Sequence, residues 1–554
     1  MPTSVISRGE VESLDNTQLS MLYGLSSYMV SFNSWGSSGY YLNDWGFPCQ
    51  MYFREVNGED FPVYNSTYDY WTYHENGSYA SSYTIYSWYY YYKLIRNCNN
   101  LIGAINPESP TITRESLRYL GSALAFRAMA YMDLARMFEF KPTGYQELDD
   151  IAQKDSLWGL TVPIVTEKTT ELDGTHNPRV PYWTIYRFIM TDLKNAQSYL
   201  NGYNPDDNSL PGADAVNGLM ARAWLEMASR LEENTTYINN YAAKLTANQQ
   251  EVTEYVQLGS PDAAQFYQNA YDCARAAMQN RTFMDSDEWH DPKTGFNKTC
   301  DSWIWRCRMG NKEQFPTYYC TFLGQIASEP EAGLAYSYNA YRCIGDYLYG
   351  KIKNNDWRKT TWIAPADTVN SKAKEMIVKY QSNLDSARFI NLPAYANLKF
   401  RPGEGNVKDY NKWLVSDLPV MRAEEMEFIM LEAQAHISGY ADALAGLKSF
   451  LTDYRYKEGT SYTTTPLMNS MNGFLSELLI QKRIEFWGEG ICYFDYKRLN
   501  LQIDRSQSSN YESSFQLKSQ ENSVAPWLNY YIPTSETQRN NACKANPDVS
   551  GEYN

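Results

Sequence analysis

The sequence predicts a mostly α-helical fold in which pairs of helices carry long, irregular, aromatic-rich insertions. Three observations predict it. Apolar residues recur at steps of three and four in several long runs. These runs come in pairs, joined by turns that hold Pro or Gly. Before and between them lie stretches rich in Gly, Ser, Asn, Tyr and Trp with no helical period.

Residues 1–78 read as irregular, with one helix near Thr17–Met29. A helical run follows over Ser82–Ile105, and Pro107 and Pro110 break it. Arg114–Phe138 has the cleanest period. Leu117, Leu120, Leu124, Ala128, Tyr131, Ala135 and Phe138 share one face, and Ala123, Ala125 and Ala130 keep the helix slim for close packing. The pattern repeats with Val180–Leu200, a turn NPDDNSLPG, and Ala213–Leu231. A third unit starts at Pro261, and a fourth comprises Arg422–Ser438 and Ala441–Tyr454. Four such pairs echo the tetratricopeptide arrangement. Residues 281–415 interrupt them, a loop-rich excursion expected between the third and fourth pairs. Helix resumes over Met471–Trp487, and an irregular tail starts at Gln502.

The expected organisation is one domain over residues 1–554. An irregular N-terminal region (1–78) precedes helical pairs one to three (79–280) and the excursion (281–415). The fourth pair with a charged motif (416–500) and the tail (501–554) complete it. A chain of 554 residues would ordinarily suggest several domains. Stacked helical pairs, however, run as one continuous body.

The formal net charge of −15 excludes the basic footprint that nucleic-acid binding needs. It also disfavours adsorption to anionic lipid. The 48 Tyr, 15 Trp and 21 Phe exceed what a core requires and suggest binding surface. No apolar stretch approaches the roughly 20 residues of a membrane helix. Met1-Pro2-Thr3-Ser4 shows neither a charged n-region nor an apolar h-region. The nine Cys are scattered without a CxxC pair, which predicts no disulfide framework and no zinc site.

Catalytic signatures are missing. There is no GxSxG elbow, P-loop, dinucleotide fingerprint or HExxH. Glu424-Glu425 and Asp206-Asp207 read as helix-start and turn residues. No EF-hand loop is present, so no cofactor is expected, and calcium could bind only at an irregular site.

Two segments, DLPVMRAEEMEFIMLEAQA at 417–435 and LIQKRIEFWGEGICYFDYKRLN at 479–500, resemble signature runs of the SusD/RagB family of outer-membrane nutrient-binding lipoproteins. ALAFRAMAYMDLARMF at 123–138 and GLTVPIVTE at 159–167 stand in the expected order. In the second signature Arg483, Glu485, Gly488-Glu489-Gly490, Phe494-Asp495 and Arg498 match, while Ile491-Cys492 replaces a usual polar or basic pair. These mixed charges beside Phe486, Trp487 and Phe494 read as buried, structural pairs. The resemblance implies a non-enzymatic glycan binder, lipid-anchored outside the outer membrane. Such a protein lids a SusC-like TonB-dependent transporter and is a monomer when isolated. It also implies that Met1 stands in place of a trimmed signal and lipobox cysteine. Two other readings remain open: a helical glycoside hydrolase or lyase, and a peptide-binding protein of the RagB branch.

The candidate ligand loop is Tyr68–Asn76, YDYWTYHEN. Flat rings can bury the apolar faces of sugars while neighbouring polar groups meet the hydroxyls. Trp71, Tyr73, His74, Asn76 and Asp69 are the candidates here. In similar SusD-type binders a loop Trp stacks on sugar, a polar residue three positions later bonds a hydroxyl, and an Arg about 17 positions earlier assists. Trp71, His74 and Arg54 fall at those spacings, with Tyr73 and Asn76 as an alternative register. A second aromatic wall is expected from the excursion, with Trp289, Trp303 and Tyr318 as main candidates beside Trp305, Tyr319 and Tyr336. Trp88 and Trp224, inside helical runs, are expected in the core.

Overall fold

The computed structural model describes residues 15–31, 45–65, 82–233, 240–310, 319, 321–365 and 391–550. Its helices of seven or more residues are α1 (Asp15–Tyr28), α2 (Phe47–Val56), α3 (Ser82–Ala104), α4 (Arg114–Phe138) and α5 (Gln146–Lys154). Next come α6 (Tyr182–Leu200), α7 (Ala213–Glu232), α8 (Tyr241–Glu251) and α9 (Ala263–Ala277). The last are α10 (Ala423–Ser438), α11 (Tyr440–Tyr454), α12 (Met471–Glu485) and α13 (Cys492–Arg498).

Helix α4 shows why these runs fold and pack. Thr113 caps it, its Oγ1 accepting from the Ser116 N–H at 3.0 Å. The alanines expected to keep it slim are fully buried. A side chain at Gly121 would meet Leu200 Cγ at 2.9 Å and the Ala196 carbonyl at 3.2 Å, so the crossing with α6 needs glycine there. Neighbours pack in sequence as α3 on α4, α4 on α6, α6 on α7 and α7 on α9. Trp88 and Trp224 lie in this core, as expected.

The stack continues across the long excursion. α10 packs on α11, the two helices expected as the fourth pair. α9 in turn packs on α10, so these two helices meet across the long excursion. Strands β1 (Trp303–Cys307) and β2 (Leu418–Arg422) explain how. They pair antiparallel, with Cys307 opposite Leu418, and bring the excursion's early part back to the start of α10.

Beneath this joint lies a buried network of charges. The Glu485 carboxylate accepts from Arg455 at 2.8 and 3.0 Å, Arg358 at 3.0 Å and Arg422 at 3.3 Å. Glu489 takes Arg422 at 2.9 and 3.0 Å and Lys399 at 2.6 Å. Burial opposes ionisation of Glu485, but Arg455, Arg422 and Arg358 outweigh it and hold its carboxyl well below the usual carboxylate range. Gly488 and Gly490, at φ +81° and +67°, turn the chain after α12 so that Glu489 reaches back inside. The second signature segment is thus an internal bolt, as its buried charges predicted.

Candidate functional site

The N-terminal segment and the excursion meet at the surface. Residues 62–65 run antiparallel to 341–343, with Val63 bridged to Arg342. The Cys343 N–H donates to the Pro62 carbonyl at 2.9 Å, and the Tyr64 N–H to the Tyr341 carbonyl at 2.9 Å. Asn65 Nδ2 donates to the Tyr338 carbonyl at 3.1 Å. Side chains alternate across this short ladder. Arg342 points inward over the Tyr52 and Phe61 rings, at 5.3 and 5.1 Å, while Tyr341 stands at the surface side.

A patch of tyrosines results. Tyr64 is 63% exposed and stands edge to face with Tyr341, ring centroids 6.5 Å apart. Tyr336 is 50% exposed. Half-buried Tyr319 and Tyr338 lie 6.1 Å apart, and the Tyr319 hydroxyl donates to Ser337 at 3.4 Å. A small apolar cluster of Cys343, Ile363, Leu392, Ala396, Leu398 and Val407 supports Tyr341 from beneath. The short helix Leu334–Tyr338 aims Tyr336 outward. It starts at Gly333 (φ +89°), where any side chain would meet the Gly324 carbonyl at 2.9 Å, and it ends on left-handed Asn339. The backbone that carries these rings is held by the ladder and its hydrogen bonds, which lowers the entropy cost of binding.

The sequence-predicted residues fare unevenly. Trp71, Tyr73, His74, Asn76, Asp69 and Tyr318 lie outside the described residues, although Tyr68 follows Asn65 by only three positions. Tyr319 and Tyr336 are in the patch. Arg54 is not a surface group. It sits in α2, a helix that the reading of 1–78 as irregular missed, and is 3% exposed. It donates to Asp133 at 3.1 Å, to the Tyr91 hydroxyl at 3.2 Å and to the Gly490 carbonyl at 3.0 Å.

Trp289 and Trp303 are corrected as well: both are fully buried. Trp289 Nε1 donates to Thr361 at 3.0 Å, and its ring packs edge-on against Phe296 and Trp357. Trp303 and Trp305 lie on β1, which is packed between layers, so both rings are core; Phe126 of α4 meets Trp305 at 5.1 Å. The excursion supplies core with Trp289, Trp303 and Trp305, surface rings with Tyr336 and its neighbours, and core again with Trp357, Trp362 and Trp413. Tyr64, Tyr338 and Tyr341 were not singled out in the sequence. Val63-Tyr64-Asn65, just before the aromatic loop, was the available signal.

Comparison with known proteins bears on what such a scaffold is. The SusD-like family described as "Starch-binding associating with outer membrane" matches residues 46–225. The whole chain also superposes on solved structures of that type. The chain has the SusD-like fold.

A SusD-like carbohydrate binding protein from Bacteroides vulgatus superposes with a TM-score of 0.67 at 19% identity, covering 96% of this chain and 97% of that one. A SusD superfamily protein from Bacteroides vulgatus gives 0.66 at 14% identity, covering 97% and 99%. One from Bacteroides thetaiotaomicron gives 0.62 at 19% identity, covering 96% and 99%. No curated relative matches the chain. The mostly helical SusD-like fold expected from the sequence is thus the fold observed. No helix among the described residues is long and apolar enough to cross a membrane.

Proposed function

We propose that this SusD-like chain binds a glycan at the outer surface of the outer membrane, without altering it, and delivers it to a SusC-like TonB-dependent transporter. The observation that carries the reading is the tyrosine patch. Exposed Tyr64 lies only four positions before the aromatic stretch Tyr68–Asn76 in the sequence, and on this reading Trp71, Tyr73, His74, Asn76 and Asp69 add to the ligand surface of Tyr64 and Tyr336. Each ring stacked on a sugar buries ~50–80 Å², worth roughly 1–2 kcal/mol. A few such contacts give weak, releasable binding in the micromolar-to-millimolar range of roughly −4 to −8 kcal/mol. A capture protein that passes its cargo on needs that weakness.

Acid chemistry finds little support. Glycoside hydrolysis needs two accessible carboxyl groups facing one sugar. Glu485, Glu489 and Glu424 are sealed in arginine contacts. Glu55, whose carboxyl burial pushes up to about 7, accepts the Gly490 N–H at 2.8 Å instead of facing the patch. A polysaccharide panel tests the reading: the protein should bind at least one glycan and release no reducing ends from it.

A further inference from the structure

A second cavity lies away from the tyrosine patch. It is a cleft of about 670 Å³ between α3 and the segment 165–174, closed at one side by Met21 of α1. That size is within the roughly 300–1,000 Å³ of small-molecule sites. A smaller cavity, about 50 Å³ among buried ion pairs, has room for water but not for a sugar ring.

One face of α3 forms the first wall. Tyr92, Arg96, Asn99 and Asn100 recur at helical spacing along it. The opposite wall is held rigidly. The Tyr131 hydroxyl accepts from the Val165 N–H at 2.7 Å and donates to the Val165 carbonyl at 2.8 Å, and Asn99 Nδ2 donates to the same carbonyl at 3.0 Å. Beneath, Arg127 is bound to both Asp192 oxygens at 2.7 and 2.8 Å. It also donates to Asn99 Oδ1 and to Glu167 Oε2, each at 2.8 Å. The Tyr92 hydroxyl donates to the Pro163 carbonyl at 2.7 Å, which fixes its ring in the wall.

What the cleft offers a ligand is mixed. Among the described residues, Arg96 and Asn100 are exposed and have no hydrogen-bond or ion-pair partner. They supply donors. Glu171 and the second oxygen of Glu167 supply acceptors, and the Tyr92 ring supplies an apolar face. The two carboxylates disfavour a phosphate or other polyanion, and the polar lining disfavours a lipid tail. Hydroxyl groups, which donate and accept at once, match this set.

We infer that the α3 cleft is a second saccharide-binding site, separate from the tyrosine patch. It rests on the reading of this protein as a glycan binder. Equilibrium dialysis tests it with maltoheptaose, then with xylo-, manno- and chito-oligosaccharides. Four proteins are compared: wild type, the patch variant Tyr64→Ala/Tyr336→Ala, the cleft variant Arg96→Ala/Asn100→Ala, and the two combined. The patch variant should retain measurable binding, and adding the cleft substitutions should weaken it about tenfold. Melting of the cleft variant should match wild type, because both side chains are exposed. Loss of all binding in the patch variant alone overturns the cleft and leaves the glycan reading intact. So does residual binding that the cleft substitutions do not weaken. Binding of no glycan by wild type overturns both, and tighter binding of an unstructured peptide mixture at the cleft assigns it to peptide instead.

Discussion

Arg483 grips Asp60 through two hydrogen bonds of 2.6 Å, joining residues 423 positions apart. Asp60 precedes the ladder that carries Tyr64, so the C-terminal signature anchors the N-terminal segment that presents the candidate site. The Trp487 indole strengthens the joint by donating to the Asp60 carbonyl at 2.7 Å. Removing Arg483 would leave Asp60 and Glu59 buried without their cation. Arg483→Ala should therefore cost about 3–5 kcal/mol of stability. Denaturant unfolding measures this, and a change under about 1 kcal/mol would contradict the anchoring role.

Trp289 gives a contrasting prediction. Its ring is enclosed by Phe296 and Trp357, with Arg422 and Lys399 above it. Trp289→Ala should lose about 3–5 kcal/mol of stability through the cavity it leaves. Glycan affinity of the folded fraction should stay unchanged, as comparison of melting and binding on one preparation would reveal.

The pH dependence of stability has two opposed parts. Glu485 is held below the carboxylate range, so its contribution is present above about pH 4.5 and is lost as pH falls through the lowered value. Glu55 is raised to about 7, chiefly by burial, so its contribution is present below about pH 4.5 and is lost as pH rises through 7. Glu55→Gln keeps an acceptor for the Gly490 N–H but cannot ionise. Its melting temperature should exceed that of wild type by about 1–3 °C at pH 8, with the difference vanishing near pH 4. A pH series of melting curves checks the sign.

Trp71 separates loop anchoring from ligand stacking. If it stacks on glycan, Trp71→Ala should lose about five- to thirtyfold in affinity, with melting unchanged. A fall in melting with binding kept in the folded fraction would assign Trp71 to packing instead.

Most of the scaffold was legible because helix leaves a period in the sequence. Arg114–Phe138 was read to the residue, and the other long helices to within a few residues of their ends. The short amphipathic helix α5, with Leu148 and Ala152 buried one turn apart, and helix α8 were passed over, and other features missed have no period to read. Helix α2 has Pro48 at its start but almost every side chain buried, so no polar face marks it. The pairing of α9 with α10 depends on a strand contact between segments more than a hundred residues apart, which local pattern does not encode. The site was legible in part. Aromatic richness pointed to the N-terminal segment and the excursion. Composition could not tell Trp289 and Trp303, which fill the core, from Tyr336, which faces solvent. That difference is set by where β1 and the helix Leu334–Tyr338 sit in the packed layers.

The central claim is that exposed tyrosines at the junction of residues 62–65 and 334–342 bind glycan. Affinity electrophoresis through gels containing one polysaccharide at a time tests it most directly, with wild type and Tyr64→Ala/Tyr336→Ala run side by side. The account predicts that at least one polysaccharide retards the wild type and that the double variant, equally folded, is retarded at least fivefold less, each ring contributing roughly 1 kcal/mol or more. Equal retardation of the two proteins, or no retardation in any gel, would contradict it.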